Sequence, residues 1–358
     1  MRDERRFRAI ALLLLVAMSG AACAPSSAEP SVSARPTLGP KHAFSTIQFS
    51  SATKGWVALK DSLYGTTNGG ATWQRTYLAG SNILGLAFVS NDRGWLLQEP
   101  GTGSSYESLV TTTNGGQTWT PTPVRTFAGA GNIRGPVVQM LDATRGYGIE
   151  AQAHRLVATQ DGGHSWDVQL GAPGQLGALA FWSAELGWVV DQNGRVYKTT
   201  DGAHWDYQWQ PPLPPGQRWR QGVIARMWLA SERDAWLMLD VGSGCASQKA
   251  YLVYVTHDGG DHWQLALAQP GACLAADTLP LAQTAAGFGM PGYPSSVAAT
   301  TPDEAYFFVM SPAGNFTQTQ ATSDGGRTWT ARHGARATNH QVDADFISPD
   351  VGWMATDG

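Results

Sequence analysis

Three carboxylates stand where paired acids could do general acid/base work. Glu150, Asp191 and Asp240 each follow an aromatic residue, Tyr147, Trp188 and Trp236 in turn, by a few positions. Glycoside hydrolysis needs two such acids facing one another across a cleft; their more ordinary place is at solvated strand ends. His257 and His262 flank a turn that also holds Asp258 and Asp261, donor types that suit a transition metal. Parallel copies of this segment carry Gln, Ser and Thr instead, so a variable turn face is expected, and no metal. Gly287-Phe288-Gly289-Met290-Pro291-Gly292 has the glycine spacing of a dinucleotide loop, but a proline interrupts it and no helix follows. Neither a Gly-x-Ser-x-Gly elbow nor a P-loop lysine motif occurs, and no cofactor is expected. Recognition chemistry is denser than catalytic chemistry. Trp209, Arg218, Trp219 and Arg220 surround a proline-rich turn between residues 207 and 220, the composition of an interface hot spot. The same rings suit stacking on a sugar, or filling a gap between neighbouring sheets. Arg134 and Tyr106, with Arg125 and Glu107, are lesser candidates.

Whatever these residues do, a repeated element positions them. The segment Thr-x-Asx-Gly-Gly-x-Thr-Trp is written six times, with the acid or amide at Asn68, Asn114, Asp161, Asp201, Asp258 and Asp324. The closing tryptophans are Trp73, Trp119, Trp166, Trp205, Trp263 and Trp329, and the fourth copy is one residue shorter. Asx before glycine is a tight-turn signature, because the side chain accepts hydrogen bonds from nearby N–H groups and glycine tolerates positive φ. Strand-like residues flank each copy, so each reads as a hairpin tip, with the tryptophan ring folding over the hairpin. These residues are structural, not catalytic.

A second motif alternates with the first. It reads Phe49…Gly55-Trp56, Phe88…Gly94-Trp95, Phe181…Gly187-Trp188 and Phe346…Gly352-Trp353, with weaker versions Met140…Tyr147, Trp228…Trp236 and Ala298…Tyr306. Each unit is therefore four antiparallel strands, recurring every 40 to 66 residues. A lone four-stranded sheet leaves two faces and two edges unprotected, and packing such sheets radially around an axis solves both problems. The expected fold is an all-β propeller over residues 43–358, with six full blades and a partial seventh. Either the ring closes on that half blade or the protein continues beyond it. Both motif turns fall on one rim. The long variable segments, 96–108, 120–138, 206–224, 237–249 and 265–294, fall on the other, where binding residues usually sit.

The six boxes resemble Asp-box (BNR) repeats, found in sialidases, sortilin-type receptors, xyloglucanases and the photosystem II assembly-factor propellers. Pairing each box with a Phe…Gly-Trp hairpin is most similar to the last of these and its relatives in bacteria. That resemblance implies a non-enzymatic binding or assembly scaffold, and the box itself is shared by unrelated activities. A sialidase-like site would need three arginines, a Tyr–Glu pair and an acid. The early Arg-Ile-Pro element is missing, and Tyr106-Glu107, adjacent in a strand, would point to opposite faces. Glycoside hydrolysis stays as the alternative to a scaffold that binds a protein or a glycan.

Composition fits this outline. Fifteen tryptophans, 42 glycines and only 15% charged residues describe a turn-rich β protein. The net charge of −4, or −6 once the first 22 residues remove four arginines and two acids, offers no attraction to nucleic acid. Residues 1–22 read as a signal peptide, with Arg5, Arg6 and Arg8 before an apolar run too short to span a bilayer. Ser19-Gly20-Ala21-Ala22-Cys23 resembles a lipobox, so Cys23 is the expected lipidation site. Gly20 departs from the usual leucine, which keeps simple secretion open. Residues 23–42 form a Pro/Ser-rich tether, and a monomer on the outer face of the cytoplasmic membrane is expected. Cys245 and Cys273 lie symmetrically about Gly259. A disulfide between them would close a loop of about 30 residues and contribute ~3–4 kcal/mol; otherwise they are two small core residues.

Overall fold

Every Phe…Gly-Trp segment turns out to be one antiparallel hairpin with its two named residues directly opposed. In the computed structural model, Phe49 pairs with Gly55, Phe88 with Gly94, Met140 with Gly146, Phe181 with Gly187 and Phe346 with Gly352. The phenylalanine ring lies flat over the glycine, so a Cβ there would fall on ring carbons. The equivalent pairs in the fifth and sixth units are Leu229–Ala235 and Ala299–Ala305. This corrects the expected Trp228 and Ala298, which the pleat sets opposite Trp236 and Tyr306 instead. A one-residue slip moves a side chain to the other face. Where the opposing residue is not a flat ring or Met140, alanine replaces glycine.

The structure describes residues 47–99, 108–122, 138–150, 155–171, 174–212, 223–243, 249–269, 287–288, 292–311, 317–332, 342–348 and 351–356. These contain strands and turns only. Six sheets of four sequential antiparallel strands span residues 47–78, 83–122, 138–171, 176–209, 224–269 and 293–332, and will be called blades 1 to 6. Blade 5 carries a short fifth strand, Gly287–Phe288, pairing parallel with its outer strand at Leu267 and Ala268, so part of the glycine-rich segment expected as loop is strand. A two-stranded sheet, Val342–Ser348 and Val351–Thr356, is the partial seventh blade. Its first strand packs between the first strands of blades 6 and 1, which closes the ring.

The core lies between blades. Phe88 stacks on Trp56 of the preceding blade (3.7 Å between centroids, 5° between planes), Phe181 on Tyr147 (3.6 Å), and Phe49 on Trp353 (3.5 Å). The box tryptophans meet these pairs edge-on: Trp73 on Phe49, Trp119 on Phe88 and Trp205 on Phe181. Each of these three box rings thus completes a three-ring cluster at a blade junction rather than covering only its own hairpin, and such clusters add to ordinary apolar burial. Polar side chains span the same junctions. Gln48 Nε2 donates to the Phe88 carbonyl (2.9 Å) while its Oε1 accepts the Phe88 N–H (2.6 Å), and Gln139 grips Phe181 in the same two ways. Asp345 of the half blade accepts the Phe49 N–H at 2.6 Å. The seam between blades 7 and 1 is therefore built like the others.

Candidate functional site

The Asp-box turns, the most repeated polar feature of the chain, consume their own polar groups. The first glycine N–H of each box donates to a carbonyl of the first turn in the same blade, at 2.8–3.0 Å, from Gly69 to Thr53 through Gly325 to Asp303. Both motif turns consequently share one rim. The Asx Oδ1 accepts the N–H four residues on: Thr72 on Asn68, Thr118 on Asn114, Ser165 on Asp161, His262 on Asp258 and Thr328 on Asp324, each at 2.9 Å. The shortened fourth box does the same from three residues on, His204 to Asp201 at 2.8 Å. A threonine two residues before the Asx accepts the N–H of the second glycine (Gly116 to Thr112, 3.0 Å; Gly260 to Thr256, 2.8 Å). Positive φ at both glycines of the full-length boxes makes this turn possible.

These bonds set the charge state. The Thr328 hydroxyl and N–H hold the Asp324 carboxyl down at about 2, and Ser165 does the same for Asp161. At Asp258 partial burial pushes upward, but bonds from the His262 N–H and ring outweigh it and leave the value at about 2. Asp201 is lowered too, chiefly by the His204 N–H, and the His204 and His262 rings are raised in return by their carboxylate partners.

The first-glycine carbonyl of a box serves the neighbouring blade. Trp353 Nε1 donates to Gly69 (3.0 Å), Trp56 to Gly115 (3.1 Å) and Trp95 to Gly162 (3.0 Å). Lys198 Nζ and Gln208 Nε2 donate to Gly259 at 2.7 and 3.0 Å, and His257 Nε2 reaches Gly325 at 3.1 Å. In front of blade 4 the Tyr147 hydroxyl instead donates to the Ala184 carbonyl of the first turn (2.7 Å). Cations cap three of the indoles: Lys54 over Trp56, Arg93 over Trp95 and Lys198 over Trp188, at 4.9–5.3 Å. His257 is therefore a junction residue, which corrects the expectation of a variable turn face, whereas the His262 ring bonds within its own box, to Asp258 Oδ2 (2.6 Å). Among the described residues no three His, Cys, Asp or Glu side chains gather as a metal site.

On the opposite rim the three candidate acids do not present free carboxylates. Glu150 pairs with Arg155 at 3.1 Å, Asp240 with Lys249 at 3.6 Å and Asp191 with Arg195 at 4.0 Å. Each cation comes from the same blade as its acid. Asp191 is fully buried, not solvated as expected, because its Oδ1 closes a turn by accepting the N–H groups of Asn193 (2.8 Å) and Arg195 (2.9 Å). Trp209 lies in the outer strand of blade 4, stacked on Trp263 (5.3 Å) with Tyr254 edge-on (5.0 Å), so its ring fills the junction with blade 5. The variable segments are shorter than expected, since Gly94–Gln98, Asp206–Trp209, Ala235–Ser243, Gln264–Gln269 and Tyr293–Ala299 are strand. Tyr106, Glu107, Arg125, Arg134, Arg218, Trp219 and Arg220 lie outside the described residues, as do Cys23, Cys245 and Cys273.

The sequence reading missed the box threonine, the Gln48 and Gln139 clamps and the junction histidine. The threonine was visible as an invariant letter in all six copies. The histidine had a subtler trace. Blades 1 to 3 place a cation, Lys54, Arg93 or Arg145, just before the Gly-aromatic pair, and blade 5 places Asp234 there.

Comparison with known proteins agrees with this architecture. Residues 78–227, from the end of blade 1 into the first strand of blade 5, match the family model described as photosynthesis system II assembly factor YCF48. The fold is similar to a solved structure of YCF48 bound to a D1 peptide (18% identity, TM-score 0.54, covering 90% of this chain and 92% of that one). It is also similar to YCF48 from Cyanidioschyzon merolae (13% identity, TM-score 0.55, 90% and 95% covered). A GH74 xyloglucanase from Xanthomonas campestris shares the fold at 14% identity and TM-score 0.54, this chain spanning 46% of that one's length. No curated protein sequence matches the chain.

Proposed function

We propose that this chain, a YCF48-like BNR propeller, works as an assembly or binding scaffold that holds a protein partner on the rim opposite its Asp-boxes and carries out no chemistry. The observation that carries the reading is the division of labour between rims. On the Asp-box rim the Asx side chains, the glycine N–H groups and most first-glycine carbonyls are engaged in bonds that fasten one turn or blade to another. Recognition is then left to the other rim, to which the repeat pattern of the sequence assigns the connecting segments of varying length and, with them, the candidates Tyr106, Arg134, Arg218, Trp219 and Arg220. A YCF48 structure that holds a D1 peptide supports a protein rather than a glycan as the class of partner. Export by the N-terminal segment and anchoring through Cys23 would place that rim in an extracytoplasmic compartment.

Photo-cross-linking residues placed singly at 106, 134, 218 and 219, and for contrast at 71, 117 and 327 on the Asp-box rim, test this in the native host. The reading expects one recurring protein adduct from the first set and none from the second. Adducts confined to 71, 117 and 327 would reverse the assignment of the rims. Turnover of a xyloglucan oligosaccharide that disappears in Glu150→Gln or Asp191→Asn protein would replace the scaffold with a hydrolase.

A further inference from the structure

His257 faces two acceptors at once. Its Nδ1 lies 2.7 Å from Asp234 Oδ1 in the first turn of blade 5, and its Nε2 lies 3.1 Å from the Gly325 carbonyl in the box of blade 6. Neither a carboxylate nor a carbonyl oxygen can donate, and a neutral imidazole has one N–H. Both bonds exist together only when the ring carries two protons. The Asp234 carboxylate is held in place by Ser231, whose hydroxyl donates to Oδ2, so it does not simply turn away. At the neighbouring junction the same type of carbonyl, Gly259, is served by Lys198 and Gln208, and elsewhere by indoles. None of those donors changes charge near neutrality, whereas histidine ordinarily does between about pH 5 and 8.

We infer that His257 is a proton-dependent bolt between blades 5 and 6, closed as the imidazolium and loosened when the ring loses a proton. Of the charged groups on the elements it joins, Asp234 is bonded to the ring and the Asp303 carboxylate lies beside Gly325; Arg233 and Asp258 belong to the blade 5 turns, and Asp324 and Arg327 to the blade 6 box. Loss of one proton leaves a nitrogen lone pair against an oxygen lone pair, and the bolt keeps one bond instead of two. The sign is opposite to that of the Asp-box carboxylates: the His257 contribution is complete at low pH and is lost as pH rises. The side chain is half-buried, so the proton exchanges with solvent without global opening. A rise in pH would therefore loosen one junction of the ring and leave the indole-held junctions as they are.

The test is amide exchange of the full chain between pH 5.5 and 8.5, corrected for the intrinsic rate, read at the blade 6 box around Gly325 and Gly326. The blade 2 box, whose Gly115 carbonyl is held by the Trp56 indole, is the internal reference. Protection at Gly325 and Gly326 is expected to fall roughly tenfold over this range relative to the reference, the loss of one charge-assisted bond. Asp234→Asn should abolish the pH dependence while keeping protection, because its amide can donate to a bare Nδ1 while Nε2–H stays on Gly325. His257→Gln, whose amide can donate but does not titrate, should be pH-independent. Ring 15N shifts give a second readout if a variant fails to fold, with both His257 nitrogens protonated at pH 5.5. Flat protection in the wild type, pH dependence that survives His257→Gln, or a singly protonated ring at pH 5.5 would each overturn the inference.

Discussion

Gly94→Ala is the smallest change that probes how the blades are joined. A Cβ on residue 94 would lie 2.5 Å from Phe88 Cδ1 and Cε1, about 1 Å inside ordinary contact. The Phe88 ring has little room to give, because Trp56 stacks on it at 3.7 Å and Trp119 meets it edge-on at 6.1 Å. Overpacking of this kind costs about 1–3 kcal/mol. The fifth blade shows the remedy, with Leu229 directly opposite Ala235. In a Phe88→Leu background the alanine should meet a side chain able to turn aside. There the same Gly94→Ala change becomes neutral, or stabilises by up to about 0.5 kcal/mol through lower unfolded-state entropy. Phe88→Leu alone should cost about 1–2 kcal/mol through the lost ring stack. Equilibrium urea unfolding of the four proteins of this cycle, followed by tryptophan fluorescence, gives a coupling energy of at least about 1 kcal/mol on this account. Additive effects would refute the reasoning, since the glycine would then be present for some reason other than the ring above it.

Other expectations concern the seams and the boxes. Trp353→Phe keeps the stack on Phe49 but removes the donor to Gly69, and should cost about 1 kcal/mol in a urea titration, against about 3–5 kcal/mol for Trp353→Ala. Gln48→Leu strips both partners from the buried Phe88 backbone and should cost about 2–4 kcal/mol by the same measurement, with Gln48→Glu in between because one acceptor survives. In acid, Asp161, Asp258 and Asp324 have folded values of about 2, below the ordinary unfolded value of about 3.9. Their contribution is present above about pH 4 and disappears as pH falls toward 2. Changing all three to Asn, the residue that boxes 1 and 2 already use, should move the acid-unfolding midpoint to lower pH. A midpoint that does not move would take the boxes out of the acid transition.

Much of the architecture was legible because turn chemistry repeats in letters. Asx-Gly-Gly and Phe…Gly-Trp recur at fixed spacing, and alternation alone put both turns on one rim. The half blade was legible for the same reason, since Phe346…Gly352-Trp353 repeats the motif without a following box. Blades 5 and 6 escaped by one residue. An aromatic at 228 attracts the eye, but the pleat gives the position over Ala235 to Leu229. Contacts across junctions were harder to see. Gln48, Gln139 and Asp345 each bond to a residue in another sheet, and no local pattern announces such a partner. The candidate site divides in the same way. Trp209 is a junction ring by its contacts with Trp263 and Tyr254, while the length and composition of the segment after it could be read but not its partner.

The most direct test of the rims' division sets stability against capture. Asn114→Ala, Asp258→Ala and Asp324→Ala are made alongside Arg134→Ala, Trp219→Ala and Arg220→Ala, and each protein is measured for its unfolding midpoint and for retention of the cross-linked partner. The account predicts that the first three lower the midpoint and keep the partner, and that the second three keep the midpoint and lose it. Box variants that release the partner with their stability intact would contradict it.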